Sequence, residues 1–162
     1  MSKENYKKSI NLHFSVMVCI GVISLVFCVL TQFNSFFSSP AGSNTTQIIL
    51  AMTAVLIAVL QHFYTRNILK NRLANILNLD TIEQKVSKYH QLMLLSFYVS
   101  AFSLVAIAVL CYFVQNSLLI CIEVLVLVFS VMLLKPSAYR IKSDLQLSEN
   151  DIAKIYGENW NK

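Results

Sequence analysis

Charge is what this sequence has least of: 13% of its 162 residues are Asp, Glu, Lys or Arg, against 56% hydrophobic. That balance excludes an ordinary soluble domain. No phosphate-cradling loop, hydrolase nucleophile elbow or dinucleotide fingerprint is present, so an enzyme has no motif to rest on. Four cysteines occur, but no CxxC pair and no secreted disulfide spacing, which leaves small buried thiols as the simplest reading of Cys19, Cys28, Cys111 and Cys121. A soft-metal site of thiolates is disfavoured by the expense of deprotonating them in lipid. Acidic residues are missing from the long apolar runs with one exception, Glu123.

The apolar residues gather into four runs, 12–33, 48–63, 92–114 and 118–134. The first and third are long enough to cross a hydrocarbon core of about 30 Å at about 1.5 Å per residue; the second and fourth are near the short limit. Lys3, Lys7 and Lys8 precede the first run as in a signal peptide, but no small-residue cleavage pattern closes it, so it is expected to stay as a span. The expected fold is all-α: one polytopic domain over residues 1–162, with four transmembrane helices as two antiparallel hairpins and cytoplasmic helical extensions.

The connections 34–47 and 115–117 contain no Lys or Arg. Basic residues lie before the first run, between the second and third (Arg66, Lys70, Arg72, Lys85, Lys88) and after the fourth (Lys135, Arg140, Lys142, Lys154, Lys162). The positive-inside bias then puts both termini and the middle loop in the cytoplasm. The net charge of +5 faces anionic lipid, and nucleic acid is not required as a partner. Asn44-Thr45-Thr46 matches a glycosylation acceptor, relevant only in a eukaryotic secretory route.

Residues 67–90 read as a cytoplasmic helical hairpin. Leu69, Leu73, Ile76 and Leu77 recur at helical spacing, the second helix ends near Asn78, and Asp80 with Glu83 forms a capping box for the third. A helix from Asp80 to Val114 is about 52 Å long and must protrude. Residues 135–162 form an amphipathic cytoplasmic tail, with Tyr139, Ile141, Leu145 and Leu147 spaced for an interfacial helix, Ser148 and Asp151 capping a last short turn, and Gly157 ending it. The two halves share a layout that a duplicated two-helix unit produces. Ala51, Ala54 and Ala58, and Ser96, Ser100, Ser103 and Ile107, form strips for close helix packing.

Glu123 lies roughly 8 Å inside one edge of the fourth run. An ionised carboxylate in hydrocarbon costs on the order of 2.5 to 3.5 kcal/mol, so the expected state is a neutral acid bonded to a hydroxyl, with Tyr112, Thr31 and Thr53 as candidates. It either pins helix packing or serves as a proton- or cation-responsive acid. His13, His62 and His90 share the cytoplasmic edge and form a second constellation. Without an HxxxH or HxxE arrangement they read as interfacial residues rather than metal ligands. No catalytic, cofactor-binding or metal residue is assigned, and no cofactor is expected.

Lys135-Pro136-Ser137, followed by Arg140-Ile141-Lys142-Ser143-Asp144-Leu145-Gln146-Leu147-Ser148-Glu149, resembles the tail of a family of uncharacterised four-span inner-membrane proteins of Bacteroidetes. The stretch 84–95 and the four-span layout share in the resemblance. It implies a bacterial inner-membrane location and supplies no catalytic residue or substrate. Those relatives tend to have an acidic residue in the third span; here the acid is Glu123, in the fourth. The leading expectation is a non-enzymatic component of interaction or assembly. Its partners are membrane lipid, a second copy in a homo-oligomer (most simply a dimer), and a cytoplasmic or membrane protein. The alternative is an oligomeric channel, ion-translocating element or small transporter that uses Glu123.

Overall fold

The computed structural model describes residues 3–33, 43–114, 116 and 118–156, with side chains placed for residues 8–153 of these. Six helices account for nearly all of them: α1 (Lys3–Phe33), α2 (Asn44–Leu77), α3 (Ile82–Phe113), α4 (Leu118–Leu134), α5 (Ala138–Leu145) and α6 (Glu149–Tyr156). Among the described residues there is no strand. The helices α1, α2 and α3 are each long and apolar enough to cross a membrane, and α4, of 17 residues, makes a fourth when taken together with α5, from which it is bent by 69°. Ile23, Phe33, Met52, Phe102 and Met132 are exposed on their outer faces. Large apolar side chains turned outward on so many sides fit a hydrocarbon solvent and not water.

Local chemistry sets the helix ends. Ser43 caps α2 by accepting from the Thr46 amide, and Asn78 ends it. The start of α3 differs by one residue from the expected capping box: Thr81, not Asp80, is the N-cap, its hydroxyl accepting from the Gln84 amide at 3.4 Å. Glu83 still serves the first turn, where a negative charge meets the positive end of the helix dipole. Pro136 cannot continue α4, and Ser137 caps α5. Gln146 ends α5 in the left-handed conformation, with φ of 51°, and the Leu147 amide reaches back to the Lys142 carbonyl. Before α6 the expected pairing is present: the Ser148 hydroxyl donates to Asp151 Oδ2 at 2.6 Å and accepts from the Asp151 amide at 3.2 Å. Gly157 lies outside the described residues.

The central helix is α3, which packs against α1, α2 and α4; α4 also touches α1 and α2. Consecutive in sequence, α1 and α2 nonetheless share at most marginal contact and are bridged by the α3–α4 pair. Gly21 on α1 permits one of these approaches, since a Cβ there would run into the Leu127 side chain on α4 and stand 3.1 Å from Leu104 Cδ1 on α3. The expected serine strip is buried throughout on α3, at Ser96, Ser100 and Ser103 with Ile107.

Two apolar cores result. One, at the end of the bundle carrying the basic residues, joins Ile10, Ile76, Tyr89, Leu92 and Leu134 to Ile141, Leu145, Leu147 and Ile152 of the tail. The other, toward the neutral end, contains Cys28, Ala54, Leu104, Ile107, Cys111, Leu119 and Val126. The apolar side of α5, spaced for a membrane surface, is thus turned onto the bundle instead. Burying Ile141 and Leu145 against protein and leaving Tyr139 exposed uses the same amphipathic pattern for a different partner.

Candidate functional site

Between the two cores lies a polar level. Gln61 of α2 points its amide inward, donating through Nε2 to Ser100 Oγ of α3 at 3.0 Å and to Ser130 Oγ of α4 at 3.3 Å. All three are buried. Ser96 and Ser103 return their hydroxyls to the Leu92 and Val99 carbonyls, each at 3.0 Å, and so make no tie between helices. Thr65, one turn beyond Gln61, is also buried, and its hydroxyl has no partner among the described residues. One glutamine therefore fastens three helices at the level between the two cores.

Glu123 sits in the core toward the neutral end, completely shielded, on the same face of α4 as Leu119, Val126 and Ser130. Neither carboxyl oxygen has a hydrogen-bond partner among the described residues. None of the three expected partners bonds it, and the two threonine hydroxyls are engaged elsewhere. Thr31 donates to the Cys28 carbonyl, Thr53 to the Ile49 carbonyl, and Tyr112 is part-exposed with its ring edge-on to Phe113 at 5.0 Å. What surrounds Glu123 includes two free thiols: Cys28 of α1 and Cys111 of α3 are buried beside each other, and Cys28 lies within electrostatic reach of the carboxyl. Cys19 and Cys121, expected to be buried, instead face outward. Such surroundings favour the uncharged acid, because an ion here would be shielded from solvent with no counter-charge beside it among the described residues.

The histidines do not converge as a trio. His13 places Nδ1 2.7 Å from the Ser9 carbonyl and stacks edge-on to Tyr98, and it lies close enough to His90 for their charges to interact. His62 stands apart on α2, its ring 5.7 Å from that of Phe129 on α4. Among the described residues, no group of three or more His, Cys, Asp or Glu side chains is arranged to hold a metal ion.

At the basic end a latch closes the bundle. The Tyr89 hydroxyl donates to Asp144 Oδ2 at 2.7 Å, Arg140 Nε donates to the same oxygen at 3.3 Å, and Arg140 Nη1 donates to the Leu133 carbonyl at the end of α4. The guanidinium thereby satisfies a carbonyl that the helix end leaves without an internal partner. At the opposite end, Gln32 of α1 donates to the Val114 carbonyl at 2.7 Å, a carbonyl that also accepts from the Asn116 amide at 3.0 Å, and so ties α1 to the end of α3.

The remaining feature is a groove between α2 and α4. Two adjoining pockets, of about 450 and 420 Å3, share Val55 and Ile122. The first is edged by Asn44, Gln47 and Asn116, and the second runs down to Gln61, His62 and Phe129. Comparison with protein-family models, with curated proteins and with solved structures returns no match for this chain.

Gln61, the groove and the latch were not foreseen from the sequence. A signal for Gln61 existed: it is the only amide within the apolar run 48–63, but it stands beside His62 at the run's end and reads as a boundary. Tyr89 and Arg140 carried no signal, because their partners lie 55 residues away for Tyr89 and at a helix end for Arg140.

Proposed function

We propose that this chain is a non-enzymatic inner-membrane protein that acts through interaction or assembly. Its four helices run up and down in succession, with both termini, the 67–90 hairpin and the tail in the cytoplasm. The clustering of basic residues at the latched end supports that orientation through the positive-inside bias. The observation that carries the reading is how the polar groups are used: Gln61, Ser100 and Ser130 tie helices together, while α2 turns most of its apolar length outward. A helix held inside by Ala54, Gln61, Thr65 and Ile76 alone keeps a large face for a partner.

Site-specific photocrosslinking tests this. Probes at Leu56 and Leu60, both exposed on α2, are expected to give a discrete protein adduct, and probes at the exposed Val105 and Val109 of α3 only lipid. Equal lipid labelling at all four positions refutes the assignment. The rival reading, a proton- or cation-carrying Glu123, draws support from that carboxyl's lack of a partner. Proteoliposomes decide between the two: ion flux that Glu123→Gln abolishes favours transport, and no flux from either form favours assembly.

A further inference from the structure

We infer that the outer part of the α2–α4 groove is a binding site for one acyl chain of an outer-leaflet phospholipid. The inference rests on the membrane orientation proposed above. The helices α2 and α4 are fastened at one level, where Gln61 reaches Ser130 and the His62 ring meets Phe129, and a wedge stays open between them toward the neutral end.

Three properties of the wedge select the occupant. From Asn44 to Val55 it extends roughly 16 Å along α2, close to the depth of one leaflet, which is half of a core about 30 Å thick. Its volume of about 450 Å3, spread over that length and open along one side, suits a single hydrocarbon chain laid lengthwise better than a whole helix about 10–12 Å across. Its polarity also matches a lipid from end to end. The walls are apolar, the rim is formed by the amides of Asn44, Gln47 and Asn116, and among the described residues no charged one lines it. Asn116 Oδ1 already accepts from the Leu118 amide at 2.9 Å, so the group it offers a ligand is its NH2, a donor matched to the oxygens of a glycerol ester or phosphate.

The test is native mass spectrometry of the full chain, purified in mild detergent and supplied with dioleoyl phosphatidylethanolamine. Wild type is expected to retain one phospholipid per chain. Val55→Trp and Met52→Trp, which enlarge two exposed groove residues without entering the core, are expected to lower that retention at least tenfold. Val109→Trp, on an equally exposed face of α3 outside the groove, is expected to behave as wild type. Equal retention by all four proteins overturns the site. Retention of free fatty acid in place of phospholipid, or lipid-free dimers, overturns the occupant. A chain that is monodisperse in water without detergent overturns the membrane reading itself, an outcome distinct from a detergent-solubilised chain that binds nothing.

Discussion

Replacing Gln61 by Leu removes the one side chain among the described residues that is seen to bond α2 to both α3 and α4. The two bonds, at 3.0 and 3.3 Å, are ties between helices in a membrane, where such bonds average about 0.6 kcal/mol and reach about 1.7. The orphaned serines need not stay unsatisfied. Ser96 and Ser103 already bond to the carbonyl four residues back at 3.0 Å, and Ser100 and Ser130 have the same option on their own helices. The full penalty for a stranded polar group therefore does not apply, and Gln61→Leu is expected to destabilise the bundle by about 1 kcal/mol, a five- to tenfold shift in the unfolding equilibrium. The buried thiols supply the assay. With Cys19 and Cys121 replaced by Ala, Cys28 and Cys111 are fully shielded and react with a thiol-directed fluorophore only when the helices part. Labelling in mixed micelles of rising SDS content then reports the transition. Double-mutant cycles should show stronger coupling to Ser100 than to Ser130, following the distances. No change on Gln61→Leu, or a loss above about 3 kcal/mol, refutes the reasoning, the first by showing no tie and the second by showing serines that cannot re-pair.

Glu123→Leu replaces a shielded carboxyl lacking a partner with an apolar group of similar size, and should raise stability by about 1–3 kcal/mol in the same assay; a loss of stability would mean that the carboxyl is satisfied after all. Tyr89→Phe deletes a bond to a carboxylate, a class worth about 1.5–3 kcal/mol, so amide exchange across α5 should quicken while the middle of α3 is unaffected. The Lys142 ammonium, 2.9 Å from Glu149 Oε1, holds that carboxyl below its ordinary value. A lowered value in the folded state stabilises the α5–α6 contact above the ordinary carboxylate range, and the benefit fades as pH falls through the lowered value. Titration of the Glu149 carboxyl by NMR should move upward in Lys142→Met, and an unmoved midpoint removes the pairing.

The places where the sequence was readable share a physical cause. Charges, Pro136 and capping hydroxyls act over a few residues, so the run 118–134 coincides with α4, and Ser148 and Asp151 pair as their spacing requires. Facing directions were harder to read. In water an interior face is apolar and the outer face polar, which gives a helix its periodic signature. In lipid both faces are apolar, and the strips that can be recognised are those of small or polar residues. Ser96, Ser100 and Ser103 mark the buried side of α3 for that reason, whereas nothing in the pattern tells Cys28, which is buried, from Cys19 and Cys121, which face outward.

Hydropathy, charge distribution and turn chemistry, all written locally in the chain, determined that this is a helical protein with three to four helices able to cross a membrane, and set nearly every helix boundary. Tertiary structure decided which helices meet. It set α3 between α1 and α2, made Gln61 a tie among three helices, turned the tail onto the bundle through Tyr89 and Arg140, and sealed Glu123 away from every hydroxyl expected to bond it. Those pairings join side chains tens of residues apart. Helices that are apolar on every side do not specify them until they pack.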